Sequence, residues 1–399
     1  MPNRRERLAA ALLVAPLLLF LLGVFLLPIG AFLWRAVAET DVAPALPRTL
    51  AALRDWSGRD LPGEAAFEAL AADLRAARAA DQAAGGGLIP RAAARLNAEI
   101  PGFRSTLPAT ARRLSSPEAP ARETILAASP DWSKPESWAA IRRTGGPVSD
   151  LNLLAALDLR RDAAGGIAAV PPDQAVFRGV LLRTLWIALL ATALSLLLGY
   201  PLAYLIATAP PRLALWMLGA VTLPLWISDV PRIAAWIVLL QRDGVANTLL
   251  TATGLLREPA SFLFTRGTVL LATVNLLLPY AVLPIYASLR ALDWRLPRAG
   301  LSLGASPWRV FRRVTLPLSM PGVGAGALLV FIQALGFYVT PALLGGPNDQ
   351  MLSYFIGFYA NRTVNWGLAA ALSVVLLLAV AIVVALYARL VGFNKVRPA

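Results

Sequence analysis

Long uncharged apolar runs separated by short charged breaks dominate this chain. Residues 8–34, 184–211, 267–289, 314–348 and 363–388 contain no Asp, Glu, Lys or Arg. Each exceeds the roughly 20 residues that carry a helix across a bilayer. The stretch 213–240 is equally apolar and is interrupted only by Asp229 and Arg232. The pattern predicts six membrane-spanning helices. The first run competes with a cleaved signal peptide, because Ala36-Val37-Ala38 resembles a cleavage site. Its apolar core is longer than the about 7–15 residues of such a segment, so a retained first helix is expected.

Residues 38–178 break the pattern. Glu64 to Ala84 repeats apolar residues at helical spacing, with Phe67, Leu70 and Leu74 on one face, and Gly85-Gly86-Gly87 ends the repeat. Ser116-Pro117 opens a second amphipathic helix running towards Ala128. Ser149 is placed to cap a third, containing Leu151, Leu154, Leu157 and Leu159. The expected organisation is a terminus and first span over 1–37, a helical insertion over 38–178, and a core of five spans over 179–399. The fold class is an all-α polytopic membrane protein. About 140 residues can bury a modest core of their own.

Charge sharpens this layout. The net charge is +14, which on its own suggests a nucleic-acid partner. Its distribution argues against one. Residues 39–178 hold 17 basic and 17 acidic side chains, so the excess lies wholly in the membrane part. With the N-terminus in the cytoplasm, the cytoplasmic segments are 1–7, 208–213, 290–316 and 389–399. They carry 13 basic residues against Glu6 and Asp293, the bias of the positive-inside rule. Both termini then share the cytoplasmic side, and the insertion lies across the membrane from them.

Composition also removes most chemistry. The chain has no Cys and no His, and its two lysines, Lys134 and Lys395, lie in no phosphate-binding loop. Thiolate and His-based catalysis, a His or Cys metal centre and ATP hydrolysis by a P-loop of this chain are excluded. No cofactor is expected in the chain itself.

One break stands apart. Between the runs 267–289 and 314–348, six arginines from Arg290 to Arg313 flank two short helical stretches with Gly304 between them. Ser306 can cap the second stretch, and Pro307 suits its first position. Val310, Phe311 and Val314 form one apolar face, suited to filling a groove on a partner. The segment resembles the EAA loop of ABC importer permeases: a Glu-Ala-Ala triplet, three residues, Gly, nine residues, then Ile-x-Leu-Pro. Arg298-Ala299-Gly300 stands at the triplet, Gly304 and then Ala305 at the turn, and Val314-Thr315-Leu316-Pro317 at the close. Both spacings fit. The triplet departs from the pattern, with Arg298 in place of Glu and Gly300 in place of the second Ala.

More of the chain is similar to the spermidine/putrescine branch of that family. The matching stretches are 198–204, Pro224-Leu225-Trp226-Ile227-Ser228, 279–286, 316–322 and 340–347, in the expected order. The resemblance implies a permease subunit in the inner membrane, with 293–317 as the coupling loop that docks on an ATPase subunit. It further implies a second permease, expected to be a different chain, and a periplasmic substrate-binding protein. ATP would be bound by the ATPase subunits, and polyamines are the expected cargo. Other small organic solutes remain as cargo. A secondary transporter would need a coupling-ion site and usually internal repeats, and neither is evident. A membrane-anchored assembly protein would account for the insertion but not for the ordered matches.

Four residues are candidates for the substrate path. Asp229 is an ionisable group inside a span; it either meets a cationic substrate or pairs with Arg232 three residues on. Asn275 and Tyr280 either line a polar path or bond neighbouring helices. Trp226 either stacks on an ammonium group or anchors at the membrane interface. The Gly345-Gly346-Pro347 turn is either a contact for the binding protein or a plain turn.

Overall fold

The computed structural model describes residues 4–38, 41–84, 87–97, 99–114, 120–161, 166–363 and 365–391. It divides into two compact units. One comprises residues 1–175 with 365–371, and the other residues 176–364 with 372–399.

The first unit opens with α1 (Arg4–Leu21), which passes through a π-helical turn into α2 (Leu27–Trp34). The insertion follows as α3 (Pro47–Ala52), α4 (Glu64–Ala84), α5 (Leu88–Asn97), α6 (Phe103–Arg113), α7 (Ala121–Ala128), α8 (Pro135–Arg143) and α9 (Leu151–Ala156). Phe67, Leu70 and Leu74 are fully buried along one face of α4, as their spacing predicts. They pack around four rings: Phe67 meets Trp138 at 4.6 Å, Phe103 meets Trp132 at 5.2 Å, and the two indoles lie 5.3 Å apart. Both indole N–H groups are satisfied, Trp132 by the Thr110 hydroxyl at 2.9 Å and Trp138 by the Trp132 carbonyl at 3.0 Å. Buried indoles require such partners.

Charged side chains brace this core. Glu99, almost wholly buried, accepts from Arg95 at 3.4 Å and from Arg143 at 3.1 Å. Asp73 accepts from both the backbone N–H and the hydroxyl of Thr49, in the first turn of α3. The two ends of the insertion are tied together by a bridge between Ala38 and Val148 and by Ser149 N–H donating to the Val37 carbonyl at 2.7 Å.

One local expectation changes here. The leucine-spaced segment after Ser149 is helical only to Ala156. Leu159 instead begins β1 (Leu159–Arg161), paired antiparallel with β2 (Ile167–Ala169). Ser149 does accept from Leu151 N–H at 3.2 Å, and it also accepts from Arg95. Ser116-Pro117 and Gly85-Gly86 lie outside the described residues.

The second unit is a membrane bundle. Its elements are α10 (Phe177–Thr208), α11 (Pro211–Thr222), α12 (Asp229–Leu240), α13 (Val245–Ala252), α14 (Arg266–Arg290), α15 (Arg295–Ser302), α16 (Pro307–Val310), α17 (Leu316–Gly336), α18 (Val339–Leu344), α19 (Leu352–Asn361) and α20 (Trp366–Val391). The last straddles the unit boundary. Helices α10, α14 and α17 pack together, with α14 the most buried. Their approach needs small residues: a Cβ at Gly322 on α17 would sit 2.6 Å from the Pro284 carbonyl of α14.

Among the described residues, five helices are long and apolar enough to span a membrane, or six if one bent pair is a single span. That pair, Pro211–Trp226 and Asp229–Ala252, contains the 213–240 stretch. It is not one continuous helix: α11 runs through a 3₁₀ turn (Leu223–Trp226), the chain extends at Ile227, and α12 departs at 101°. Pro224 and Pro231 flank the break, each lacking a backbone donor. The run 314–348 also divides, into α17, α18 and the turn after it.

Candidate functional site

The Gly304 segment is a helical hairpin. Its first arm, α15, ends in a Schellman motif. Ala305 N–H donates to the Gly300 carbonyl at 3.1 Å, Gly304 N–H to the Leu301 carbonyl at 3.0 Å, and Gly304 sits at φ +83°. A Cβ at Gly304 would meet nothing within 4 Å, so backbone conformation, not space, selects glycine there. Gly300 has the opposite reason. A Cβ there would lie 3.2 Å from Val310 Cγ2, because the two arms close on each other at this point. That contact explains Gly300 where the family pattern has Ala.

The second arm begins at Pro307, with Ser306 at the N-cap. The Ser306 hydroxyl makes no capping bond, contrary to the expectation from sequence; its carbonyl accepts from Val310 N–H. After Val310 the chain forms a π-helical turn (Phe311–Thr315) and runs directly into α17, with Leu316 and Pro317 as its first residues. Hairpin arm and span are therefore one element over Pro307–Gly336.

The apolar face of this arm points inward, which corrects the groove-filling role expected for Val310 and Phe311. Val310 is buried against the first arm, and Phe311 and Val314 are half-buried. Phe311 packs edge-on against Tyr200 and Tyr204 of α10. The residues offered outward are Leu303, 88% exposed, and Trp308, 68% exposed. Arg298, Ala299, Arg309, Arg312 and Arg313 are exposed beside them. Amphipathic periodicity found a face but could not say which side of the arm the bundle would occupy. Tyr200 and Tyr204, spaced i and i+4, were a signal available for that purpose.

The four path candidates are not gathered in one place. Trp226 ends the 3₁₀ turn, 89% exposed. Asp229 begins α12 with its side chain about half exposed, and it pairs with the largely buried Arg232. Arg232 donates one N–H to this carboxylate, while its Nε and Nη1 atoms are buried with no partner. Asn275 lines a groove of about 340 Å³ with Leu202, Met217, Val221, Pro224 and Leu278. Tyr280 packs instead on the apolar cluster around Leu277 and Val330.

At the opposite end of the bundle the Gly345–Gln350 turn is pinned. Arg266 donates to Asp349 at 2.9 Å, Asp349 accepts from Gly346 N–H at 3.3 Å, and Arg183 donates to the carbonyls of Asn348 and Gln350. This is an ordered surface held by three segments.

The second unit is thus a bundle of spanning helices with a glycine-turned hairpin joined directly to one span, the architecture of a polytopic membrane protein. The chain belongs to the family of binding-protein-dependent transport system inner membrane components, whose profile matches residues 199–393. It is 33% identical over 249 residues to the spermidine/putrescine transport system permease protein PotB of Haemophilus influenzae, covering 61% of this chain and 87% of that protein. It is 34% identical to the Escherichia coli PotB over 210 residues, covering 53% and 76%. It is 32% identical to the molybdenum transport system permease protein ModB of Mycobacterium bovis over 205 residues, covering 51% and 76%. The protein is thus a multi-pass inner-membrane permease subunit of a binding-protein-dependent ABC importer.

Proposed function

We propose that this permease imports polyamines such as spermidine and putrescine, and that its Gly304 hairpin docks on a cytoplasmic ATPase subunit. ATP is bound by that subunit. The hairpin geometry supports the docking reading most strongly: a rigid glycine turn presents Leu303 and Trp308 among arginines, at the end of an element that is itself a membrane span. The 13-to-2 excess of basic residues in the predicted cytoplasmic segments supports an orientation with the hairpin and both termini inside.

The cargo reading rests on the PotB likeness and on two groups at the α11–α12 break. The exposed Trp226 indole and the Asp229 carboxylate are suited to a passing ammonium group. The ModB likeness is a reminder that one core serves different cargoes, so much of the selectivity belongs to the binding protein. A second permease of different sequence completes the path. The insertion over 38–178 and the pinned 345–350 turn offer ordered surfaces for the binding protein.

Replacing Gly304 with Val tests the docking reading. A β-branched residue in the left-handed region costs about 1–2 kcal/mol and distorts the turn. The expected outcome is normal membrane insertion, continued ATP hydrolysis by the assembled complex, and lost uptake of labelled spermidine. Normal uptake in that variant contradicts the role of the hairpin in coupling.

A further inference from the structure

A ring cluster joins the hairpin to α10. Phe311 stands edge-on to Tyr200 (centroids 5.7 Å apart, 80°) and to Tyr204 (6.3 Å, 87°). The exposed Trp308 stacks on Phe311 at 5.4 Å. Tyr204 also meets Trp294, at the start of the first arm, at 6.1 Å. Both arms therefore bear on a single turn of α10. The Tyr200 hydroxyl then reaches Ser319 Oγ of α17 at 2.9 Å, and Ser319 donates onward to the Leu316 carbonyl at 3.0 Å.

The backbone route from the hairpin into α17 is less stiff than a plain helix. It passes through the π-helical turn, closed by Leu316 N–H donating to the Phe311 carbonyl, and then Pro317, which has no N–H to give. Displacement of the second arm can be absorbed there. The rings provide a separate link to a different span, and edge-on aromatic contacts are directional enough to transmit a push.

We propose that Phe311 is a positioning residue that carries hairpin displacement into α10, and that the Tyr200–Ser319 hydrogen bond holds α10 and α17 together there so that both spans move as one. This rests on the reading of the hairpin as the ATPase contact. Trp308, exposed to the partner and stacked on Phe311, is the first ring in the chain.

The test uses the whole importer reconstituted in vesicles: this permease, its partner permease, the ATPase subunits and the binding protein. The chain contains no cysteine, so a single Leu303→Cys thiol reports by itself. With Phe311 intact, that thiol cross-links to an ATPase subunit. In Phe311→Ala the cross-link and ATP hydrolysis persist, while spermidine imported per ATP hydrolysed falls about fivefold, the worth of one directional ring contact. Tyr200→Phe keeps the ring and loses only the hydroxyl bond, and its ratio falls about two- to fivefold. An unchanged ratio in a cross-linking Phe311→Ala protein overturns the proposal. If Phe311→Ala does not assemble, an unchanged ratio in Tyr200→Phe overturns it. Absence of the cross-link with Phe311 intact would instead refute the ATPase contact itself.

Discussion

Single residues in this protein act through geometry that their type alone does not disclose. Trp132 and Trp138 fill the centre of the insertion with both indole N–H groups satisfied. Trp132→Ala should destabilise that unit by about 3–5 kcal/mol, read as accelerated hydrogen exchange across α6 and α8 in the intact protein. Asp131 is held below the usual carboxylate range, first by the hydrogen bond from Lys134 and further by its charge and by the Ser129 and Thr106 hydroxyls, against a smaller cost of burial. A carboxyl lowered on folding adds stability that is present above its ordinary value near 3.8 and is lost as pH falls through the lower folded value. Protection factors over 129–138, taken relative to intrinsic exchange at each pH, should therefore fall below about pH 4 in the native chain and change less in Asp131→Asn. Arg232 carries two buried N–H-bearing atoms with no partner among the described residues. Removing the charge of its one partner in Asp229→Asn should cost about 1–3 kcal/mol, seen as a lowered thermal midpoint in detergent. Asp229→Asn with Arg232→Leu should recover the midpoint, because the largely buried guanidinium with its unpartnered N–H groups is then gone. Spermidine uptake stays low in that double variant if the Asp229 carboxylate serves the path.

At the scale of elements, what the sequence disclosed follows from what periodicity measures. The face of α4 was readable because Phe67, Leu70 and Leu74 recur at helical spacing between polar residues. The 101° break between α11 and α12 was not, because Asp229 and Arg232 interrupt the 213–240 run without indicating a change of direction. Pro224 and Pro231 were the cue, and proline is common enough in spanning helices to be passed over. The Leu159 strand was hidden by leucines that continue a helical rhythm past the end of α9. In the hairpin, the Gly304 turn was legible from its spacing, whereas the inward aim of Val310 and Phe311 depends on α10, distant in sequence. That aim leaves Leu303 and Trp308 the most exposed apolar residues of the hairpin and packs Phe311 on Tyr200 and Tyr204.

At the scale of the whole molecule, a neutral insertion and a strongly basic membrane part coexist in one chain. The membrane part carries the family likeness, over residues 199–393, and the Gly304 hairpin. The chain is a permease subunit of a binding-protein-dependent ABC importer. The most direct measurement is accumulation of labelled spermidine by vesicles carrying the reconstituted importer, with ATP supplied on the hairpin side. Accumulation that requires ATP hydrolysis and the binding protein, and that persists when ion gradients are collapsed, is the expected result. Accumulation driven by an ion gradient without ATP would contradict it.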